Sequence, residues 1–357
     1  MASAVMQNFD GGTFLGNLVT RPEFLQYIRE DIYFRCKWVQ SGVMVRNSAL
    51  DCRDGGVRIE VPFFNPIPEE EVRIESNANW GQTNGGFLVP NRITGDSQIA
   101  TIMHRGGAFA ADQLSKLGTG SDPLAAVASY LSKTVQILRT RTLLAQLEGL
   151  FGAALAGNSL DVSQAAAGAG EANFLTAQNV IRARNLLGER GEELSVICMH
   201  SDVYSYLLSV GLLTFSTDAL VAGGNVEWGG GGIAKTAVDV AYFCGLRVVQ
   251  DDLIAPVVNV GGADQYPVYL MAASSVYEGV QSPFQVKYDY NILSFQDVMA
   301  WDQHYCQHVY GTSWNAAGDN PENADLADPA NWRLAYNDRR LIPIVELIVN
   351  SPFAANV

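Results

Sequence analysis

The chain has 357 residues, 48% of them hydrophobic, with a net charge of −14. That length makes one large or two ordinary domains with a sizeable core, and so acidic a surface repels nucleic acid and anionic membrane rather than seeking them. No stretch of about 18 apolar residues predicts a membrane span, and no positive segment followed by an apolar core predicts a signal peptide. The five cysteines, Cys36, Cys52, Cys198, Cys244 and Cys306, form no C-x-x-C pair, which fits reduced thiols better than a disulfide framework.

Helix signals begin at Thr20, with Pro22 in the first turn. Phe24, Ile28 and Ile32 share a face, and the helix is expected to stop near Ser41-Gly42. Val57, Ile59 and Val61 then alternate with Arg58 and Glu60, as in a half-buried strand. The alternation returns at Ile99, Thr101 and Met103, after a polar excursion that includes NANWGQTNGG. Together these segments predict an extended hairpin, which as two strands alone is marginal in water. The acidic run Glu69-Glu70-Glu71 reads as its solvated edge.

Ser121-Asp122-Pro123 is a helix start, and no proline follows until well past Leu155. Leu124, Val127, Leu131, Val135 and Leu138 mark one stripe, and Leu143, Leu147 and Phe151 continue it at a drifted angle. Gly149 and Gly152 are expected only to weaken the last turns. The rod is about 50 Å long, so the subunit is expected to be elongated. Further along, Thr176 to Leu187 reads as a helix ended by Gly188, and SVICMH as a buried strand. Ser201-Asp202 is read as the cap of a short helix carrying Tyr204, Leu207 and Leu208. PVYLMAASSVYEG, FQVKYDY and Val298 to Val309 are β patterns, Asn320-Pro321-Glu322 starts a last helix, and LIPIVELIVN closes the chain as a strand. Strands and helices are segregated rather than alternating, so the class is α+β.

The constellations that could carry chemistry are few. WGGGGIAKT, residues 228 to 236, approaches the phosphate-loop pattern G-x-x-x-x-G-K-[ST], but Ala234 replaces the second glycine. The pattern needs a buried strand before it and a helix after it; β alternation at Val238 and Val240 follows instead. A glycine-rich loop feeding a strand accounts for Gly229, Gly230, Gly231 and Gly232. An NTPase is the weaker alternative. His304, Cys306 and His308 fall on one strand face and could in principle hold a metal, but no fourth ligand is apparent. His200-Ser201-Asp202 has triad residue types without triad spacing, and Asp251-Asp252 reads as a solvated turn. The sequence therefore predicts no enzyme, no catalytic residue, no cofactor and no metal. The arm, hairpin and rod carry apolar faces that no single globule obviously covers, so neighbouring copies are expected to cover them.

The order of arm, extended loop, rod and compact lobe resembles the major capsid proteins of tailed bacteriophages, whose fold is shared with encapsulins. SDPLAAVASYLSKTVQILRTRTLLAQLEGLF resembles their spine helix. MHSDVYSYLL, CGLRVVQDD and YLMAASSVYEG resemble axial-domain segments, and H-x-x-G-x-x-W at His308, Gly311 and Trp314 with NPENADLADPANW is the most distinctive block. The resemblance implies an N-terminal arm at 1–48 and an extended loop at 55–106. It implies a peripheral domain with the spine helix at 107–194 and 296–357, and an axial domain at 195–295. It implies pentamers and hexamers that form an icosahedral head around double-stranded DNA without specific binding. It also implies a separate scaffolding protein, a portal and room for a decoration protein, with assembly in the host cytoplasm and residence in the virion. An encapsulin-like nanocompartment is the alternative. Val57, Ile59, Val61, Ile99, Phe24 and Ile28 are the expected intersubunit contacts, and Gly229 to Gly232 the expected axial-domain loop.

Overall fold

The computed structural model describes residues 38–51, 55–67, 92–119, 122–166, 168–216, 240–260 and 262–353. In chain order the elements begin with α1 (Trp38–Ser41), β1 (Met44–Arg46), β2 (Arg58–Phe64) and β3 (Gly95–Asp112). They continue with α2 (Gln113–Thr119), α3 (Pro123–Gly152), β4 (Ser159–Asp161), α4 (Ala177–Arg184), β5 (Leu194–Met199) and α5 (Ser201–Val210). The strands β6 (Thr214–Ser216), β7 (Val240–Phe243), β8 (Leu246–Gln250), β9 (Tyr266–Ala272), β10 (Val276–Asn291), β11 (Gln296–His308) and β12 (Thr312–Trp314) follow. The chain closes with α6 (Asn323–Ala327), β13 (Trp332–Leu334) and β14 (Ile344–Val349). The class is α+β.

Two sheets organise these elements. One has five strands in the order β1-β10-β11-β3-β2; the other has seven, in the order β4-β14-β9-β5-β8-β7-β6. The run PVYLMAASSVYEG, read as one β segment, is divided between them. The turn lies at Ala273 to Ser275, where Ser274 takes φ 59°, so β9 ends in the seven-stranded sheet and β10 begins in the five-stranded one. β14 and β4 pair within the same sheet as the strands of residues 195–295, and β3 runs unbroken across residue 106.

The 30-residue helix α3 starts as its sequence dictates. Pro123 opens it, and the Asp122 carboxylate accepts the Leu124 N–H at 3.1 Å. At 1.5 Å per residue it is about 45 Å long. Its apolar stripe closes within its own chain. Leu124, Leu131 and Val135 pack on Ala111, Met299 and Trp301 of the five-stranded sheet. After the stripe drifts, Leu143, Leu147, Leu150 and Phe151 enter the main core with Met103, Tyr305, Val196, Tyr269, Met271 and Ile344. The expectation that the rod lacks a partner in its own subunit is therefore overturned: the drift turns successive halves of one stripe toward two different sheets.

Gly149 and Gly152 do more than tolerate the last turns. A Cβ on Gly149 would lie 2.2 Å from the Leu326 carbonyl oxygen, and one on Gly152 would lie 2.4 Å from Pro329 Cγ. The bare backbone lets the segment around α6 lie directly on α3, with Trp332 Nε1–H donating to the Leu326 carbonyl at 2.8 Å and Trp332 edge-on to Trp314. The other face of the seven-stranded sheet is covered by α4 and α5, through Val180, Ala183, Val203 and Leu207 on Ile197, Val268, Leu270 and Val345.

Candidate assembly surface

The first described residue is held firmly. Trp38 is fully buried, and its indole N–H donates to Asp251 Oδ2 at 2.5 Å. Asp251 Oδ1 also accepts the Leu253 N–H, while Asp252 Oδ1 accepts the Ser201 N–H. Asp251-Asp252 is thus a structural junction rather than a solvated turn, because donors from two separate segments, Trp38 and Ser201, converge on it. His200-Ser201-Asp202 resolves differently from expectation as well. His200, in extended backbone, caps α5 by accepting the Asp202 N–H on Nδ1 at 3.2 Å. Ser201 and Asp202 are the first turn of the helix, and Tyr266 O–H donates to Asp202 at 2.8 Å.

α3 is tied to the five-stranded sheet by polar contacts as well as by its stripe. Arg139 pairs with Glu278 at 2.9 Å, donates to Gln303 at 3.0 Å and lies over the Tyr305 ring. Burial pushes the Glu278 carboxyl up, and Arg139 then Arg46 pull it down. Gln146 donates to the Gln307 carbonyl at 3.2 Å. His308 is wholly buried, and burial pushes its imidazole down to about 4, so it is neutral in the fold.

The hairpin β2–β3 is only partly covered by the described residues. Its register pairs Ile59 with Ala100 and Glu60 with Ile99. Residues paired in this way share a face, so Ile59 and Val61 lie on one side and Ile99, Thr101 and Met103 on the other. The expected contact set is therefore split between two faces. The Ile59 side packs on Ala100, Ile102 and Cys306, and Phe63 meets the Tyr336 ring edge-on at 5.2 Å. Ile99 packs against the main core. The chain's own carboxy-terminal segment braces the base: Gly311 N–H donates to the Gln98 side chain at 2.7 Å, Ile99 N–H to Ser313 Oγ at 3.0 Å, and Arg58 pairs with Asp319 at 2.7 Å.

Beyond that base the cover from the described residues ends. Phe64, Ile67 and Ile93 are each 82% exposed, although Asn65 N–H still donates to the Thr94 carbonyl at 2.9 Å and keeps the strands together. A second apolar patch lies at the far end of the five-stranded sheet. Tyr288, Ile292, Leu293 and Phe295 at the β10–β11 turn are exposed, as are Leu114 and Leu117 of the adjoining α2. Gln113 N–H donates to the Phe295 carbonyl, and Lys116 pairs with Asp297 at 2.6 Å, so turn and helix form one surface. In the sequence only Ile292, Leu293 and Phe295 mark this patch, with no periodicity to single it out.

Phe24, Ile28 and Gly229 to Gly232 lie outside the described residues, as do Lys235 and Glu69 to Glu71. The first described element after the glycine-rich loop is the strand β7. His304 and Cys306 share a face of β11 with His308, but among the described residues no group of three or more His, Cys, Asp or Glu is placed to hold a metal ion. Among the same residues no helix is long and apolar enough to cross a membrane.

No protein-family model matches the chain. The major capsid protein of Bacillus phage SPP1 is 23% identical over 342 residues, covering 92% of this chain and 96% of that protein. Among solved structures, the capsid of Ralstonia phage GP4 matches with a TM-score of 0.60 at 10% identity, covering 92% of this chain and 95% of that one. The cyanophage Pam1 capsid matches with a TM-score of 0.57 at 11% identity, covering 96% and 99%. The capsid of a native GTA particle gives 0.55 at 11% identity, covering 94% and 96%. At such identities the structural matches are likenesses of fold, and the SPP1 similarity adds the sequence. The chain thus has the fold of phage capsid proteins, and along nearly its whole length its sequence is similar to the major capsid protein of Bacillus phage SPP1.

Proposed function

We propose that the chain is the major subunit of a phage head, assembling as pentamers and hexamers into an icosahedral shell around double-stranded DNA. The observation that carries this is the hairpin end. Three large apolar side chains, Phe64, Ile67 and Ile93, stand in solvent on a chain that elsewhere closes two large cores. Burying each is worth about 2 kcal/mol, and a neighbouring subunit supplies the missing surface. The second patch, at α2 and the β10–β11 turn, offers another apolar contact between copies. In this reading residues 1–48 act as the arm and 55–106 as the extended loop, with the peripheral and axial regions as the two lobes. A separate scaffolding protein and a portal complete the assembly in the host cytoplasm, with a decoration protein as an optional addition. The acidic net charge suits a wall that lets DNA slide, since neutralising phosphates is what drives nonspecific binding. The chain carries out no catalysis.

The test is co-expression with the scaffolding protein, followed by sedimentation and electron microscopy. Closed shells of uniform size are expected. A chain that stays monomeric at high concentration with scaffolding protein supplied contradicts the proposal.

A further inference from the structure

His104 of β3 and His304 of β11 are direct partners across the antiparallel ladder. Their rings lie on the same face, with centroids 4.5 Å apart. One nitrogen of each ring, Nε2 of His104 and Nδ1 of His304, is buried and has no hydrogen-bond partner. The other nitrogen of His304, Nε2, lies 3.7 Å from Asp302 Oδ2, and Asp302 is itself held by Lys287 at 3.2 Å.

We propose that His104 and His304 form a two-imidazole site for one divalent transition ion of the zinc class, with water completing the coordination. Two unsatisfied buried nitrogens in adjacent rings are destabilising when left bare. A zinc-class ion takes imidazole nitrogen at about 2.0–2.1 Å, and one ion between the rings satisfies both. Asp302 beside Nε2 of His304 favours the proton there and leaves Nδ1 its lone pair, as in carboxylate–histidine–metal arrangements. The His304 side chain is 29% exposed, which gives the ion a way in. Cys306, one step along the same face, is packed with Ala100 and Ile102 and takes no part. His308, two steps along, is fully buried. The site differs from the H-x-C-x-H reading of the sequence, because its second ligand comes from the partner strand.

The position gives the ion a structural task. β2 begins at Arg58, opposite Thr101, so His104 stands just where β3 leaves the main sheet to become the hairpin. An ion shared with β11 pins that root.

Calorimetric titration of the full chain with Zn²⁺ tests the site, in the wild type and in His104→Phe and His304→Phe. Phenylalanine keeps the ring packing and removes the nitrogens. The wild type is expected to bind one ion per chain, with affinity at least tenfold weaker in each variant. Zn²⁺ is expected to raise the melting temperature of the wild type alone. Absence of saturable binding in the wild type, or affinity within threefold of wild type in both variants, overturns the proposal. If circular dichroism shows that either phenylalanine variant is misfolded, His104→Gln and His304→Gln are judged by the same thresholds.

Discussion

The long helix α3 and the hairpin β2–β3 pose the same problem and solve it differently. Each carries apolar residues on an element too extended to cover them by itself. Along α3, Leu143 and Leu147 are fully buried, because five-stranded and seven-stranded sheets of the same chain receive successive parts of the stripe. Along β2–β3 cover among the described residues is partial: Phe63 meets Tyr336, whereas Phe64, its neighbour on the opposite face of the strand, is exposed. A long apolar stripe in the sequence is therefore poor evidence of an intersubunit contact. The informative feature is where the chain's own cover ends.

Breaking the helix side of this contrast should have the largest effect on the isolated subunit. Leu147→Ala removes a fully buried side chain from the core that joins both sheets, and is expected to cost about 3 kcal/mol, read by denaturant unfolding. Acidification should have a comparable effect through His308. Its folded imidazole titrates near 4 and its unfolded one near 6.5. Between those values the unfolded chain binds the extra proton, so stability falls as pH drops from about 6.5 to about 4. That loss amounts to about 3 kcal/mol. Unfolding of wild type and His308→Gln, compared at pH 7 and pH 4.5, should show the wild type losing more. Equal losses would show that His308 is not the titrating group.

Gly149→Ala should come next, at about 1–3 kcal/mol. The new Cβ meets the Leu326 carbonyl and Trp332, so the braced carboxy-terminal segment must shift. A neutral result in thermal melts would mean that the close approach of this segment to α3 is not maintained in solution.

The fold was legible where local chemistry decides it. The Asp122-Pro123 start, the alternation of β2 and β3, the buried strand at Val196 to Met199 and the closing strand β14 all follow from periodicity and capping. What was not legible depends on partners distant in sequence. Ile59 and Ile99 were expected to act together, but the register of β2 on β3 puts them on opposite faces. Asp251 reads as solvated until Trp38, 213 residues away, donates to it. Gly149 reads as a weak helix residue until α6 arrives beside it. The Ser274 turn that divides PVYLMAASSVYEG has no proline or glycine to mark it. The exposed hairpin end follows from what fails to reach it, and no local pattern records that.

The smallest effect on the subunit and the largest on assembly are expected at the same residue. Ile59→Asp cannot separate the two, because Ile59 packs on Ala100, Ile102 and Cys306 inside its own chain. Phe64 lies on the opposite face of β2 from that cluster and is exposed, so Phe64→Asp should change subunit stability by no more than about 0.5 kcal/mol. In a shell the same carboxylate would be buried without a partner, at a cost of several kcal/mol per contact. The direct measurement is sedimentation of wild type and Phe64→Asp with scaffolding protein, alongside circular dichroism melts of the free subunits. The account predicts superimposable melts and at least a tenfold loss of shells in the variant. Normal shell yield from Phe64→Asp would contradict it.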